Sequence, residues 1–382
     1  MLTRTLLLLA TLAPAPALAG GMPVFLWARQ LPGGQVNAAS HAETAAPIPL
    51  DRDLLVGSAA GAALYRVSQA GGDLVSSYPA SGAVSAAPVV RGSLIYFGDA
   101  GGAVWCYEEG GALQWSYQTE AGILAPPLVT ADHVVVTNVA DEVITLNRAD
   151  GSLSWRYQRK TELGRTAELA LFAAPPAVES PEGVVVGFSD GSMVSLDEDT
   201  GERQWELLVG EGRYPDLVAP VSLFGSDVYA SGYLEPLIAV DRATRAQRWR
   251  IDAGAANGAL VSEDGVLYHP GTDGELRAVI TLTGAIQWAW DSQTRGALTT
   301  PVLTEAGLLV GSSEGSLYLI DPATGEERWR FHEPMLLDGV SAAPAVVGDK
   351  IFFVTDGGSL IAMVTPQDRP DDGRGRGASH RR

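Results

Sequence analysis

The stretch DPATGEERWRF, residues 321–331, reads as a tight turn running into a strand: an aspartate, a Thr-Gly pair, and a tryptophan eight residues after the aspartate. The same phrase returns as DEDTGERQWEL from Asp197, as DRATRAQRWRI from Asp241 and as NRADGSLSWRY from Asn147. Aligned on the aromatic, it places Trp27, Trp115, Trp155, Trp205, Trp249, Trp288 and Trp329 in one slot, with Ser76 of GGDLVSSY in an eighth. The successive spacings are 49, 39, 40, 50, 44, 39 and 41 residues. Seven of nine tryptophans at a single repeat position mean a chain built of one unit used eight times.

Each unit resolves into four strands. In residues 341–364, an Ala-Ala-Pro lead opens on a strand at Ala345–Val347, and Gly348-Asp349 turns into Ile351–Val354. Asp356-Gly357-Gly358 then turns into Leu360–Val364, a turn type whose twist matches a tight hairpin. The same slot holds Asp190-Gly191, Asp273-Gly274 and Glu314-Gly315. The fourth strand is the tryptophan phrase. Eight such units predict an all-β, eight-bladed β-propeller of four-stranded blades. The last unit stops at Val364 with only three strands, and PVFLWARQ (23–30) carries Trp27 at the other end of the chain. The N-terminal strand is therefore expected to complete the last blade and close the ring without a free edge. The seven tryptophans are read as structural docking residues that fill the gap between blades, each worth roughly 2–3 kcal/mol of burial. Asp197, Asp241 and Asp321 are placed to accept hydrogen bonds from turn amides.

Composition agrees. The 382 residues are 46% hydrophobic, and 44 glycines with 23 prolines punctuate short runs rich in Val, Leu, Ile and Tyr. A formal charge of −19 argues against a nucleic-acid partner, since phosphates call for basic patches. Residues 1–19 have the order of a signal peptide: Arg4, the apolar run Leu6–Leu12, and Ala17-Leu18-Ala19 before Gly20. The propeller is expected over 20–366 and a disordered polar tail over 367–382. The mature chain is expected outside the cytoplasm, periplasmic or peripherally associated with the outer membrane, without a transmembrane segment. A single cysteine, Cys106, rules out an internal disulfide, and Gly20-Gly21 stand where a lipid-bearing cysteine would follow the leader. Counterparts of Cys106 in other units are Thr145, Ser195, Ala239, Ala278, Ala362 and Leu319, which predicts a buried, inert thiol.

The unit VGSSEGSLYLIDPATGEERWRF (310–331) resembles the pyrroloquinoline-quinone-like propeller repeat, and the resemblance covers about residues 23–365. One branch of that superfamily holds quinoprotein dehydrogenases, which carry a quinone and calcium on the ring axis and usually a disulfide of adjacent cysteines. The other is the propeller scaffold of outer-membrane β-barrel assembly, a lipid-anchored, non-catalytic protein. Eight compact blades without large inserts look like the second branch. Adjacent cysteines are absent, and the strands expected to line the axis begin AAPIP (45–49), SAAPVV (85–90), TTPVL (299–303) and SAAPAV (341–346), too apolar to grip calcium. The resemblance thus implies a non-catalytic protein-binding scaffold with no cofactor and no metal. The alternatives are a quinone-dependent oxidoreductase and a small-ligand or polysaccharide-binding envelope propeller.

Two connections are longer than the rest, QRKTELGRTAELALF (158–172) and LVGEGRYPDLV (208–218), both between a fourth strand and the next first strand. They are neighbours and should form one raised rim, where Leu169, Leu171, Arg213, Tyr214 and Asp216 are the candidate partner-binding residues, beside Arg165 and Glu168. The implied partner is an envelope protein, the central outer-membrane barrel-assembly subunit by the resemblance, and the protein itself is expected to be a monomer. That scaffold binds through a Leu-x-Leu-Arg stretch and an Arg…Asp stretch; here Phe172 stands where the first arginine would be. His269 and His332 are read as surface or capping histidines, and GEGR (210–213) lacks the lysine of a phosphate loop. No catalytic constellation stands out.

Overall fold

The computed structural model describes residues 22–33, 42–159, 175–210, 215–333 and 338–365. The described strands form eight antiparallel four-stranded sheets, and in seven of them the strands run in chain order from the inside outward. These are blades 1 to 7, spanning 48–79, 89–118, 128–158, 178–208, 222–251, 260–291 and 302–332. Blade 8 takes its three inner strands from Ala345–Val347, Lys350–Val354 and Ser359–Val364, and its outer strand is Val24–Gln30. Trp27 pairs with Ala362, so the ring closes through the two ends of the chain, as the missing fourth strand required. No helix among the described residues is long and apolar enough to cross a membrane.

Second and third strands are buried on both faces, which is why they read as continuous apolar runs such as Val134-Val135-Val136. Fourth strands expose one face and turn the tryptophan inward, buried in blades 2, 3, 4, 7 and 8 and half-buried as Trp249 and Trp288 in blades 5 and 6. In every blade the residue opposite the tryptophan slot lies on the third strand: Cys106 faces Trp115, Thr145 faces Trp155, Ser195 faces Trp205 and Ala278 faces Trp288. The ladder slips by one residue beside that pair, so the residue before the tryptophan is a bulge. A bulge bends and twists its strand, and here the indole turns toward the next blade.

What it meets there is the turn between that blade's third and fourth strands. Trp115 Nε1 donates to the Arg148 carbonyl at 3.0 Å, Trp155 to Glu198 at 2.7 Å, Trp249 to Thr281 at 2.7 Å and Trp288 to Pro322 at 3.0 Å. Three residues beyond each carbonyl stands a glycine with positive φ, pressed against the ring. A Cβ on Gly151 would lie 2.5 Å from Trp115, and one on Gly201 2.6 Å from Trp155. The glycine is needed twice, for its left-handed backbone and for its missing side chain. Asp197, Asp241 and Asp321 cap these turns as expected, Asp197 Oδ1 accepting from Thr200 N and Oγ1 at 2.9 Å each.

Three seams depart from the rule; between blades 7 and 8 Trp329 has no such turn to meet, because the third and fourth strands of blade 8 come from the two ends of the chain. Between blades 1 and 2 the indole is replaced by Ser76, and its ladder partner is Arg66 where other blades have a small or aliphatic side chain. The acceptor carbonyl, Glu109 O, is met instead by Tyr78 Oη at 2.8 Å and Arg66 Nη1 at 3.4 Å, and Asp53 holds Arg66 at 2.6 Å. Between blades 4 and 5 the docking glycine is replaced by Arg245, held at φ 64° with its guanidinium 4.7 Å above the Trp205 ring. Trp205 Nε1 is buried there without an acceptor among the described residues.

Candidate partner-binding surface

Connections from a fourth strand to the next first strand share one face with the turns between second and third strands. The backbone ties them together around the ring: Ala100 N donates to Ala83 O at 2.8 Å, Val139 N to Gly122 O at 3.0 Å, and Asp356 N to Gly339 O at 2.9 Å. Both long connections open on this face, in the sector of blades 3 to 5. Arg159, at the start of the first, is fixed between Asp190 at 2.7 Å and Glu206 at 2.6 Å, with its guanidinium 6.0 Å from the Phe188 ring. These two carboxylates hold its proton well above the ordinary arginine range, against the cost of burial. Arg159 therefore ties the end of blade 3 to blade 4.

Of the residues expected on the rim, Leu169, Leu171, Arg213 and Tyr214 lie outside the described residues, as do Arg165, Glu168 and Phe172. Asp216 is described and stands on this face, but it is buried, 2% exposed, rather than a surface carboxylate. Its neighbour Leu217 donates its backbone N–H to Phe188 O at 3.2 Å, which draws the loop down onto the second–third turn of blade 4. The cluster is acidic inside. Asp141 accepts from Ser189, and burial, helped by the charges of Asp190 and Asp216, raises its carboxyl above the usual range.

The exposed part of the sector was not in the expected set. Blade 5 has Ser231-Gly232-Tyr233-Leu234-Glu235-Pro236 where its neighbours have a plain Asp-Gly turn. Leu234 is 63% exposed and Tyr233 39%, while Leu208, at the end of the blade 4 outer strand, is 57% exposed. Below them run two adjoining concavities of about 370 and 510 Å³ that share Glu235 and Arg250. The first reaches the Arg245 seam between blades 4 and 5; the second is walled by Tyr233, Asp252 and Thr272. Apolar tips beside an arginine over a concave floor suit protein recognition more than catalysis. The signal was present in the sequence as a Tyr-Leu pair in a turn that elsewhere needs two polar residues.

The histidines separate. His332 is exposed, its Nδ1 within 3.0 Å of both Ser316 Oγ and Gly315 O. His269 is fully buried, contrary to the surface or capping reading, with Nε2 3.2 Å from Ala253 O and no partner for Nδ1 among the described residues. Burial, then the nearby Arg277 charge, pushes its pKa down to about 4. It occupies a second strand, buried on both faces, which explains the difference. Cys106 is buried, and burial pushes its thiol up to about 11. No three His, Cys, Asp or Glu side chains converge as a metal site among the described residues.

The family model described as outer membrane protein assembly factor BamB matches residues 60–289 and 272–368. Among curated relatives, the assembly factor BamB of Legionella pneumophila (strain Paris) is 26% identical over 316 residues, 72% of this chain and 81% of that protein. BamB of Yersinia pestis is 24% identical over 297 residues, 74% and 72% of the two chains. Among solved structures, BamB from Moraxella catarrhalis superposes with a TM-score of 0.74 at 18% identity, covering 90% of this chain and 100% of the other. The quinohemoprotein alcohol dehydrogenase ADHIIG from Pseudomonas putida HK5 does so at 0.71 and 15%, covering 91% and 78%, a likeness of fold alone. By the extent of the matched repeats, this chain belongs to the family of the outer membrane protein assembly factor BamB, built on the pyrroloquinoline-quinone-like propeller.

Proposed function

We propose that this protein is a non-catalytic scaffold of outer-membrane protein assembly, exported to the periplasm and peripheral to the outer membrane. It captures an envelope protein, the central barrel-assembly subunit, on the blade 3–5 sector of one face. Tyr233, Leu234, Leu208 and Arg250 form the central contacts, and Leu169, Leu171, Arg213 and Tyr214 extend them along the two long connections. Asp216 positions the second connection from beneath. The observation that carries this reading is the exposed Tyr-Leu turn of blade 5 beside Leu208, above two joined concavities. Tyrosine and arginine over a concave floor are the residue types that dominate interface energies.

The test is cross-linking in cells followed by capture of the tagged protein and mass spectrometry. Two double variants are compared with the parent, Leu169→Ala with Arg213→Ala and Tyr233→Ala with Leu234→Ala. Loss of at least tenfold of the barrel-assembly subunit in both, with unchanged thermal unfolding, supports the surface; tenfold corresponds to about 1.4 kcal/mol. Recovery of that subunit at parental level from both variants removes this sector. Its absence from the parent's own capture removes the client.

A further inference from the structure

In five of the eight seams the residue two places after the tryptophan slot is a second aromatic: Tyr78, Tyr117, Tyr157, Trp290 and Phe331. Each packs onto the third strand of the next blade. Tyr117 lies against the core that holds Ile144 and Leu146, and Trp290 meets the Tyr318 ring edge-on with centroids 4.7 Å apart. The other three seams have Leu207, Ile251 and Arg29 in this place. Leu207, between blades 4 and 5, packs against the core of Ile238 and Val240, the counterparts of Ile144 and Leu146. The concavity of about 370 Å³ opens there, with Leu207, Ile238 and Val240 among its walls. Ile251 belongs to the seam of blades 5 and 6, where the second concavity, of about 510 Å³, reaches from Arg250 to Asp273. Both concavities thus lie where the column of second aromatics is broken.

The polar groups at the blade 4–5 concavity are those that accompany the second aromatic elsewhere. The residue after the tryptophan is arginine in blades 3, 5 and 7: Arg156, Arg250 and Arg330. Arg330 lies 5.1 Å from the centroid of the Tyr318 ring, the ring that Trp290 meets. Arg156 stands beside the Tyr117 hydroxyl. Arg250 instead lines the concavity, half of its side chain exposed and its Nε 3.0 Å from the exposed Asp252. Gln247 and Arg245 share these walls with the buried Glu235. The seam therefore keeps the aliphatic floor and the arginine of an aromatic site and lacks the ring. A flat ring suits such a floor, and its face and edge are what a guanidinium stacks on or bonds to. An aliphatic guest would cover the floor and leave Arg250 and Gln247 unused.

We infer that the blade 4–5 concavity is a receptor for an aromatic side chain of a partner polypeptide, tyrosine by preference. The guest ring lies on Leu207, Ile238 and Val240, with its hydroxyl toward Arg250 and Gln247. This rests on the partner surface proposed above and specifies what that surface takes: a ring from another chain that completes the column blade 4 interrupts.

The test is titration of the purified protein with two acetylated, amidated peptides, Gly-Ser-Tyr-Ser-Gly and Gly-Ser-Leu-Ser-Gly, read by nuclear magnetic resonance line broadening of the peptide. The tyrosine peptide is expected to bind about three- to tenfold tighter. Leu207→Tyr supplies the ring from within the chain. It is expected to bring both peptides to the same weak binding while the thermal unfolding midpoint holds or rises. Arg250→Gln removes the cation at an exposed position and is expected to cost the tyrosine peptide about two- to fivefold and the leucine peptide nothing. That variant keeps the test decisive if the filled one unfolds. No preference for tyrosine in the parent, or one left unchanged by either folded variant, overturns the inference. Sedimentation showing a dimer that Leu207→Tyr dissociates assigns the concavity to a second copy and equally overturns it. Capture in cells separates this from the wider reading. Loss of the barrel-assembly subunit in the Tyr233→Ala, Leu234→Ala variant without any peptide preference retains the surface and removes the aromatic site. A peptide preference with no such subunit in the parent's capture retains the site and removes that client.

Discussion

Gly151 and Gly111 occupy corresponding turns in blades 3 and 2, and comparing them isolates what a docking tryptophan contributes. Gly151 has φ 71°, and a Cβ there would sit 2.5 Å from Cδ2 and Cε3 of Trp115. Gly111 has φ 96° with nothing within 4 Å, because blade 1 sends Ser76 rather than an indole across that seam. Alanine at either position incurs the left-handed backbone cost, about 1–2 kcal/mol. Only at Gly151 does it also push a ring that is held on its far side, an overpacking cost of about 1–3 kcal/mol. Gly151→Ala is therefore expected to destabilise by about 2–5 kcal/mol and Gly111→Ala by about 1–2 kcal/mol. The assay is urea unfolding followed by far-ultraviolet circular dichroism, which does not depend on the mutated fluorophore. Trp115→Ala removes the ring and costs about 3–5 kcal/mol itself. In that background the Gly151→Ala penalty should fall to the Gly111→Ala value. Equal penalties for the two glycines in the parent, or a Gly151 penalty unchanged without Trp115, would refute the close-contact explanation of the repeated glycine.

Three further outcomes follow from the same structure. Ser76→Trp is expected to destabilise by about 1–3 kcal/mol, because Arg66 occupies the ladder partner's place. Pairing it with Arg66→Ala should recover part of the loss, and a double-mutant cycle with no coupling between the two would count against this account. His269, neutral when folded down to about pH 4, takes a proton in the unfolded chain near the ordinary value of about 6.5. The unfolded state thus binds more protons between those values, so stability falls as pH drops, by up to about 1.4 kcal/mol per pH unit. His269→Gln should flatten that interval, and a pH–stability curve parallel to the parent's would contradict it. Cys106, buried with its thiol pushed up to about 11, should react with an aromatic disulfide reagent only as the protein unfolds. Rapid labelling of the native protein at neutral pH would show a thiol more accessible than described.

The ring was legible because one position repeats one bulky residue, and because the count of strands fell one short at one end and was made up at the other. Trp27 carried that inference, and its pairing with Ala362 completes it. The small residues opposite the tryptophans were legible for the same reason, as a column around Cys106. What stayed hidden was anything set by two strands or two blades at once. The bulge before each tryptophan leaves no mark in a single strand, yet it turns the indole toward the neighbouring blade. Ser76 read as a missing tryptophan, whereas its seam is closed by Arg66 ten residues earlier and by Tyr78 two residues later. Arg245 read as one more variable turn residue until Trp205 was found beneath it. The candidate surface divides in the same way. Length alone pointed to the sector of blades 3 to 5, since an insertion shows as a longer interval. The exposed Tyr233 and Leu234 were missed because the connection 208–218 accounts by itself for the 44-residue interval from Trp205 to Trp249, while within it blade 5 also lengthens its second–third turn and shortens its strands. A periodic protein thus reveals by spacing where it has grown, and conceals the places where one element yields length to another. Those concealed exchanges fall at the blade 4–5 seam, and the same seam is where the docking glycine is lost and a concavity opens.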